Sequence, residues 1–399
     1  MTDRQDLQAF YPFGRLNRLL EGVPTGLSPA ADGKPILLSL GEPQNQPPAF
    51  VAEELSREAA GWSRYPPPKG QDTYRDACRD WLIRRYGLPD DMLDAKQHLY
   101  PLPGTREGLF FSVLSMTPLV EAGADRPALL IPNPCYHVYA GAALAAGADP
   151  VMVPATRAIG FLPDYASLDP RDLDRAGLCI LCSPANPQGS VANLGQLKHL
   201  ITLARQHDFV AAFDECYSEI YSTSAPPGAL QAAAELGGSL DNILVFHSLS
   251  KRSSAPGLRC GFVAGDPKLI AQLGSALQIG GAGVPLPVQA AGTRLWQDEA
   301  HVEVNRERYN RNFDVAERLI GSRFEFARPA GGFFLWLNVG NGEEAAKALW
   351  REAAIKVVPG AYMSKGEGAE NPGDAYIRVA LVYDAPLTEA ALTRLCQIL

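Results

Sequence analysis

The chain reads as an α/β fold of three layers, with a mostly parallel central sheet between helices and a smaller α+β domain attached. Two observations predict it. Between residues 128 and 277, short apolar runs rich in Val, Ile, Leu and Ala alternate with helical patterns, as strands buried on both faces of a parallel sheet require. Beyond residue 322 this alternation gives way to a mixed succession of strands and helices, which suits a lesser α+β unit completed by the N-terminal segment. With 399 residues the chain can bury a large core and divide. The limits expected are 1–45 for an N-terminal arm and part of the small domain, 46–290 for the large domain, and 291–399 for the small C-terminal domain.

In chain order, an amphipathic helix over 13–20 leads through a Pro- and Gly-rich loop to the strand-like run ILLSL, 36–40. The segment GEPQNQPPAF, 41–50, forms an irregular arm because its prolines remove backbone donors. A helix over 51–60 precedes SRYPPPKG, 63–70, whose three prolines hold Tyr65 on a stiff extended segment. Helices over 73–86 and 107–116 follow. Between them LPGTREG, 102–108, forms a turn in which Gly104 or Thr105 caps the second helix and leaves its first amides open to an anion. Strands are expected at 128–131, 150–153, 178–182, 209–213, 243–246 and 261–264, with helices at 136–146, 194–206 and 267–277. A long helical stretch, 287–320, then leaves the sheet for RFEFA, GGFFLWLNV, a helix at 343–352, IKVVPG, the strand YIRVALV and a closing helix.

Composition narrows the function. With 46% hydrophobic and 20% charged residues and a formal net charge of -8, the chain has no overall electrostatic footprint for nucleic acid or an anionic membrane. No apolar run reaches the roughly 18 residues of a membrane span, and MTDRQDLQAF lacks the regions of a signal peptide, so the expected location is cytoplasmic. Seven scattered cysteines form no disulfide framework. Cys179 and Cys182 make a C-x-x-C inside an apolar strand, where positions three apart face opposite sides, so both read as small buried hydrophobes. The six histidines form no ligand set, and no metal is expected.

Ligands of such a sheet gather past the carboxyl ends of its strands. There the chain presents PNPCYHVY with Tyr136, SPANPQG with Asn186, DECYSEIY with Asp214 and Tyr217, and HSLSKRSSAPGLRCG with Lys251 and Arg259. Lys251 stands in a loop among Ser248, Ser250, Ser253 and Ser254 rather than among charges, a setting for a partly desolvated, nucleophilic amine. There is no nucleotide-binding glycine signature. A lysine for an aldehyde, a carboxylate for a ring nitrogen, and an asparagine and tyrosine for a ring oxygen match what pyridoxal 5'-phosphate needs. Asp214 would keep the ring cationic, Asn186 and Tyr217 would donate to its oxygen, and Tyr136 would stack on it. Gly104, Thr105, the amides near Arg106, Ser248, Ser250 and Arg259 would hold the phosphate. Singly, each has a plainer use: Asp214 and Glu215 could cap a helix over 216–221, Asn186 could shape a turn, and Arg259 could pair with a surface carboxylate.

SPANPQG, DECYSEIY, SLSKRSSAPGLRCG and YIRVAL, in this order, resemble the successive signatures of the class I aminotransferases, enzymes of fold type I that use pyridoxal phosphate. The resemblance makes 46–290 the cofactor-binding domain. It implies that Lys251 forms the imine with the cofactor and moves the proton, with Asp214 and Tyr217 as the other catalytic residues. It also implies a homodimer with shared active sites, in which Tyr65 reaches the neighbour's cofactor. Arg378 would bind the substrate α-carboxylate, as its planar fork on a strand also suggests, Asn186 would adjoin the substrate, and Gly41 would lie over it. The partners are then small amino and keto acids. PFGRLNRLL, SLGEP, SRYP, LPGTREGLF and NPGDAYIRVALV are most similar to the N-succinyl-diaminopimelate aminotransferases of lysine biosynthesis. One departure is LQIGG, 277–281, neutral where relatives carry basic and aromatic residues, with no arginine before Arg294. Specificity for alanine, aspartate or aromatic amino acids, or carbon-sulfur β-lyase activity, are the alternatives.

Overall fold

A computed structural model describes residues 11–118, 125–366 and 368–399. Residues 1–10, the start of the expected arm and the stretch read for a signal peptide, lie outside them. The strands are β1 (Ile36–Leu37), β2 (Leu99–Leu102), β3 (Ala128–Asn133), β4 (Asp149–Pro154), β5 (Ala176–Cys182), β6 (Val210–Asp214), β7 (Ile243–Ser248), β8 (Gly261–Gly265), β9 (Phe334–Asn338), β10 (Ile355–Lys356), β11 (Val358–Pro359) and β12 (Tyr376–Ala380). Seven form one sheet in the order β2-β8-β7-β6-β5-β3-β4. Pairing is parallel from β7 to β4, and antiparallel where β8 joins β7 and β2.

The layers follow from alternation along β5. Cys179 and Leu181 enter one apolar cluster with Trp81, Leu200, Leu230 and Leu295, whereas Leu178, Ile180 and Cys182 enter another with Leu109, Tyr139 and Leu273. Helices Asp72–Tyr86, Leu194–His207, Ala229–Glu235 and Leu286–Gln297 thus cover one face, and Thr105–Met116, His137–Ala145 and Pro267–Gly280 the other. Both faces of β5 are dry, which is why its sequence is apolar without a break. A third cluster joins β9, β12 and the residues around β1 to helices Ala300–Ile320, Gly342–Ala353 and Ala385–Ile398. Helix Ala300–Ile320 ties the clusters together, since Tyr309 lies in the second and Phe313 in the third.

Several expectations need correction. The stretch 287–320 is two helices, because Asp298 adopts an extended backbone and its carboxylate accepts the amide of His301 at 3.0 Å, starting a new helix. LYPL, not expected as a strand, is β2, and its Pro101 is tolerated because β2 is an edge. The strand run 36–40 stops after Leu37, where the Leu38 amide bonds back to Ile36 at 3.2 Å. Residues 216–219 form a turn and Tyr221 a β-bridge to Gly331 rather than a helix, and the lysine segment is not an open loop but a short helix, Leu249–Arg252, capped by Ser248.

Candidate active site

The carboxyl ends of β5, β6 and β7 open into a cleft of about 470 Å³ closed on its other side by residues near Gly41 and by Arg378 on β12. Lys251, Asp214, Tyr217, Asn186, Tyr136, Thr105, Arg106, Ser248, Ser250, Arg259, Gly41 and Arg378 all line it. Gly104 stands just outside as the N-cap of Thr105–Met116, with φ at 98°, and a Cβ there would collide with the Arg259 guanidinium. Tyr65 is not in the cleft. It is fully exposed and lines another cavity with Pro66, Pro101, Leu277 and Gly281.

Lys251 projects from its one-turn helix into the cleft, where its amine donates to the Gly41 carbonyl. Burial is the main reason its pKa falls to about 8; the Cys216 thiol opposes the shift and the Arg378 guanidinium adds to it. Asp214 ends β6, held on both oxygens: the Tyr139 hydroxyl donates to Oδ2 at 2.6 Å and the Cys216 amide to Oδ1 at 3.3 Å. The Tyr217 hydroxyl makes no hydrogen bond among the described residues, and burial raises its pKa well above that of a free phenol. The Tyr136 ring meets Tyr139 edge-on, and its hydroxyl accepts from Arg106 at 2.9 Å.

Arg378 is shielded from water. β12 is the middle of the three-stranded sheet β11-β12-β9, and Arg378 is buried there. One Nη donates to Asn186 Oδ1 at 3.0 Å, the other to the Ser39 carbonyl at 2.7 Å, and the guanidinium lies 4.4 Å over the Phe334 ring. Burial pulls its pKa down to about 10, yet the group stays charged near neutrality. Asn186 therefore serves Arg378 as well as the cleft.

Elsewhere in the cleft, helix Thr105–Met116 starts with no side-chain cap, because its N-cap is Gly104, while Thr105 Oγ1 faces Cys216 Sγ at 3.0 Å. Ser248 Oγ accepts the Ser250 amide at 3.1 Å, and Arg259, half-exposed, pairs with Glu107 at 3.0 Å. Open amides, two hydroxyls and the Arg259 guanidinium make an anion cradle in the cleft that Arg378 also lines. Pyridoxal phosphate fits this donor set: a phosphate at the cradle, a pyridine nitrogen at Asp214, an aldehyde at Lys251.

Sequence reasoning missed Tyr139, Cys216, His137, Phe334 and Met363. Tyr139 alone carried a signal, since it follows Tyr136 by three positions, one helical turn, and so shares its face.

Residues 33–399 match the aminotransferase class I and II family. The chain is 32% identical to the 4-dedimethylamino-4-oxo-anhydrotetracycline transaminase OxyQ of Streptomyces rimosus, over 90% of this chain and 92% of that one. It is 30% identical to an LL-diaminopimelate aminotransferase of Desulforudis audaxviator, over 96% and 94%. Among solved structures it resembles an aminotransferase from Neisseria meningitidis, with a TM-score of 0.90 and 36% identity over 97% and 96% of the two chains. The match over residues 33–399 and these relatives show that the chain belongs to the class I and II aminotransferases, a family that uses pyridoxal phosphate.

Proposed function

We propose that the protein transfers the amino group of N-succinyl-LL-2,6-diaminopimelate to 2-oxoglutarate, giving N-succinyl-2-amino-6-oxopimelate and glutamate. The observation that carries the reading is one cleft holding a lysine with its pKa lowered to about 8, a hydrogen-bonded aspartate and a buried arginine that, among the described residues, has no carboxylate at ion-pair distance. Its diaminopimelate part draws support from the relatives, and its succinyl part from the sequence motifs.

The bound cofactor supplies an aldehyde and an electron-withdrawing ring. The protein supplies the rest. Arg378, held in plane by Asn186, Ser39 and Phe334, grips the α-carboxylate and sets the amino group toward Lys251. Lys251 is the base that moves the α-proton, since an amine near pKa 8 exchanges protons readily at cellular pH. Asp214, oriented by Tyr139, would hold a proton on the ring nitrogen of the cofactor, and Tyr217 with Asn186 would donate to its ring oxygen. The dimer belongs to the same proposal: Tyr65, Trp62 and Ile279 are exposed together with the cavity of the 277–281 segment. That neutral segment lies outside the Lys251 cleft of its own chain. The domain limits 1–45, 46–290 and 291–399, and a cytoplasmic location, complete the proposal; among the described residues no helix is long and apolar enough to cross a membrane.

A donor panel with 2-oxoglutarate, followed by glutamate formation, tests it. Succinylated diaminopimelate should give the highest kcat/KM. A tenfold advantage for alanine, aspartate or an aromatic amino acid would overturn the donor, and pyruvate and ammonia from a cysteine-type substrate without glutamate would overturn transamination.

A further inference from the structure

A second cavity, of about 200 Å³, opens beside the cleft and shares His137 and Met363 with it. Its charged lining is one-sided: Arg15 and Lys365 contribute, and no carboxylate does among the described residues. Arg15 belongs to helix Pro12–Leu20, whose Pro12 and Phe13 line the cleft itself, so one helix roofs both spaces.

The Arg15 guanidinium donates to the Ala361 carbonyl at 3.3 Å and lies 4.0 Å over the Tyr362 ring. These contacts orient the fork but neutralise nothing. Lys365 is exposed at the rim, yet its backbone is pinned at the end of β3: its amide donates to Asn133 Oδ1 at 3.0 Å and its carbonyl accepts from Asn133 Nδ2 at 2.9 Å. At the junction, burial first and then Arg106 and Arg378 push the His137 pKa down to about 4, so the passage carries no extra charge at neutral pH. In the cleft, Arg378 already answers one carboxylate. A side chain too long to end in the cleft would have to run past His137 and Met363, which both spaces share, to meet a ring-backed arginine, a geometry suited to a second carboxylate.

We infer that Arg15, with Lys365 at the rim, binds a distal carboxylate on the side chain of the amino donor, so that the enzyme selects long, acid-ended substrates. This deepens the donor assignment and rests on the aminotransferase reading.

The holoenzyme and its Arg15→Gln, Arg15→Lys and Lys365→Gln variants would be assayed with N-succinyl-LL-diaminopimelate, N-acetyl-LL-diaminopimelate and alanine. Arg15→Gln should raise KM for the succinylated donor about tenfold to a hundredfold, the worth of one charge-assisted bond. Values of kcat, and KM for alanine, should stay within about twofold, whereas KM for the acetylated donor, which keeps the distal carboxylate of the diaminopimelate backbone, should rise with that of the succinylated one. Arg15→Lys should recover part of the loss, and Lys365→Gln should show a smaller one. Equal KM increases for all donors would make Arg15 structural and overturn the inference, as would no change at all. Pimelate inhibition measured against alanine reads the site whatever the physiological donor is. Arg15→Gln should weaken pimelate about tenfold and leave hexanoate unchanged; equal inhibition by pimelate in both proteins overturns the inference even if the donor assignment stands.

Discussion

Two pairs of neighbouring charged residues, Asp214–Glu215 and Lys251–Arg252, divide between cleft and core in the same way. Asp214 and Lys251 face the cleft. Glu215 and Arg252 face the packed layer behind it, where Glu215 accepts from the Tyr86 hydroxyl at 2.8 Å and the Ala229 amide at 2.7 Å, and lies 3.2 Å from His247 Nε2. Arg252 sits against Trp81 and Trp296, donating to the Leu295 carbonyl at 2.6 Å and Glu299 at 2.7 Å. Close by, Glu219 joins Arg85 at 2.6 Å and Arg306 at 3.1 Å. Behind the cleft each of these charges has its answer. Inside it, among the described residues, neither Lys251 nor Arg378 has a carboxylate at ion-pair distance. The difference separates a layer that holds shape from one whose polar capacity is kept for ligands.

Substitutions on the two sides should therefore fail differently. The largest effect belongs to Lys251→Ala, which should lower turnover on the order of a thousandfold or more while the melting temperature hardly moves. In wild-type apoprotein, uptake of pyridoxal phosphate followed by absorbance should quicken as pH rises through about 8, because only the deprotonated amine attacks; the variant should lack that rise. Next comes Arg378→Ala. It should raise KM for every amino acid alike, about tenfold to a hundredfold, and an effect on one substrate alone would reassign the arginine to side-chain recognition.

On activity, the smallest effect should come from Glu219→Gln, which leaves kcat at 25 °C unchanged but removes about 3 kcal/mol of stability by stranding Arg85 and Arg306. Burial opposes the Glu219 charge, but Arg85, Arg252 and Arg306 outweigh it and hold its pKa below the ordinary 4.5. A carboxyl lowered on folding stabilises fully above its unfolded pKa and loses that contribution as pH falls through the folded value. Wild-type thermal stability should thus drop below about pH 4.5, and the variant should lose part of that acid dependence. A loss of turnover in Glu219→Gln, or of stability in Lys251→Ala, would break the contrast.

Much of this was legible in one dimension. Strands β3 and β5 to β8 show themselves because strands buried on both faces must be apolar, and residues that follow β3, β5, β6 and β7 are among those the cleft gathers. β2 escaped because four residues with a central proline carry too little pattern. The break at Asp298 escaped because a two-residue interruption leaves the helical periodicity intact on both sides. Contacts between distant segments left no local trace: the Arg378 bond to Asn186 spans 192 positions, and Arg15 reaches Ala361 across 346. Only the assembled topology brings such partners together.

The paired division of Asp214–Glu215 and Lys251–Arg252 also constrains how such a chain can diverge. Deleting one residue within β6 would set Glu215 in the place of Asp214 and turn Asp214 toward the core, and a deletion in β7 would bring Arg252 to the place of Lys251 on its one-turn helix. Length change is tolerable in the loops that precede these strands, whereas the last residues of each strand admit substitution but not a shift of frame.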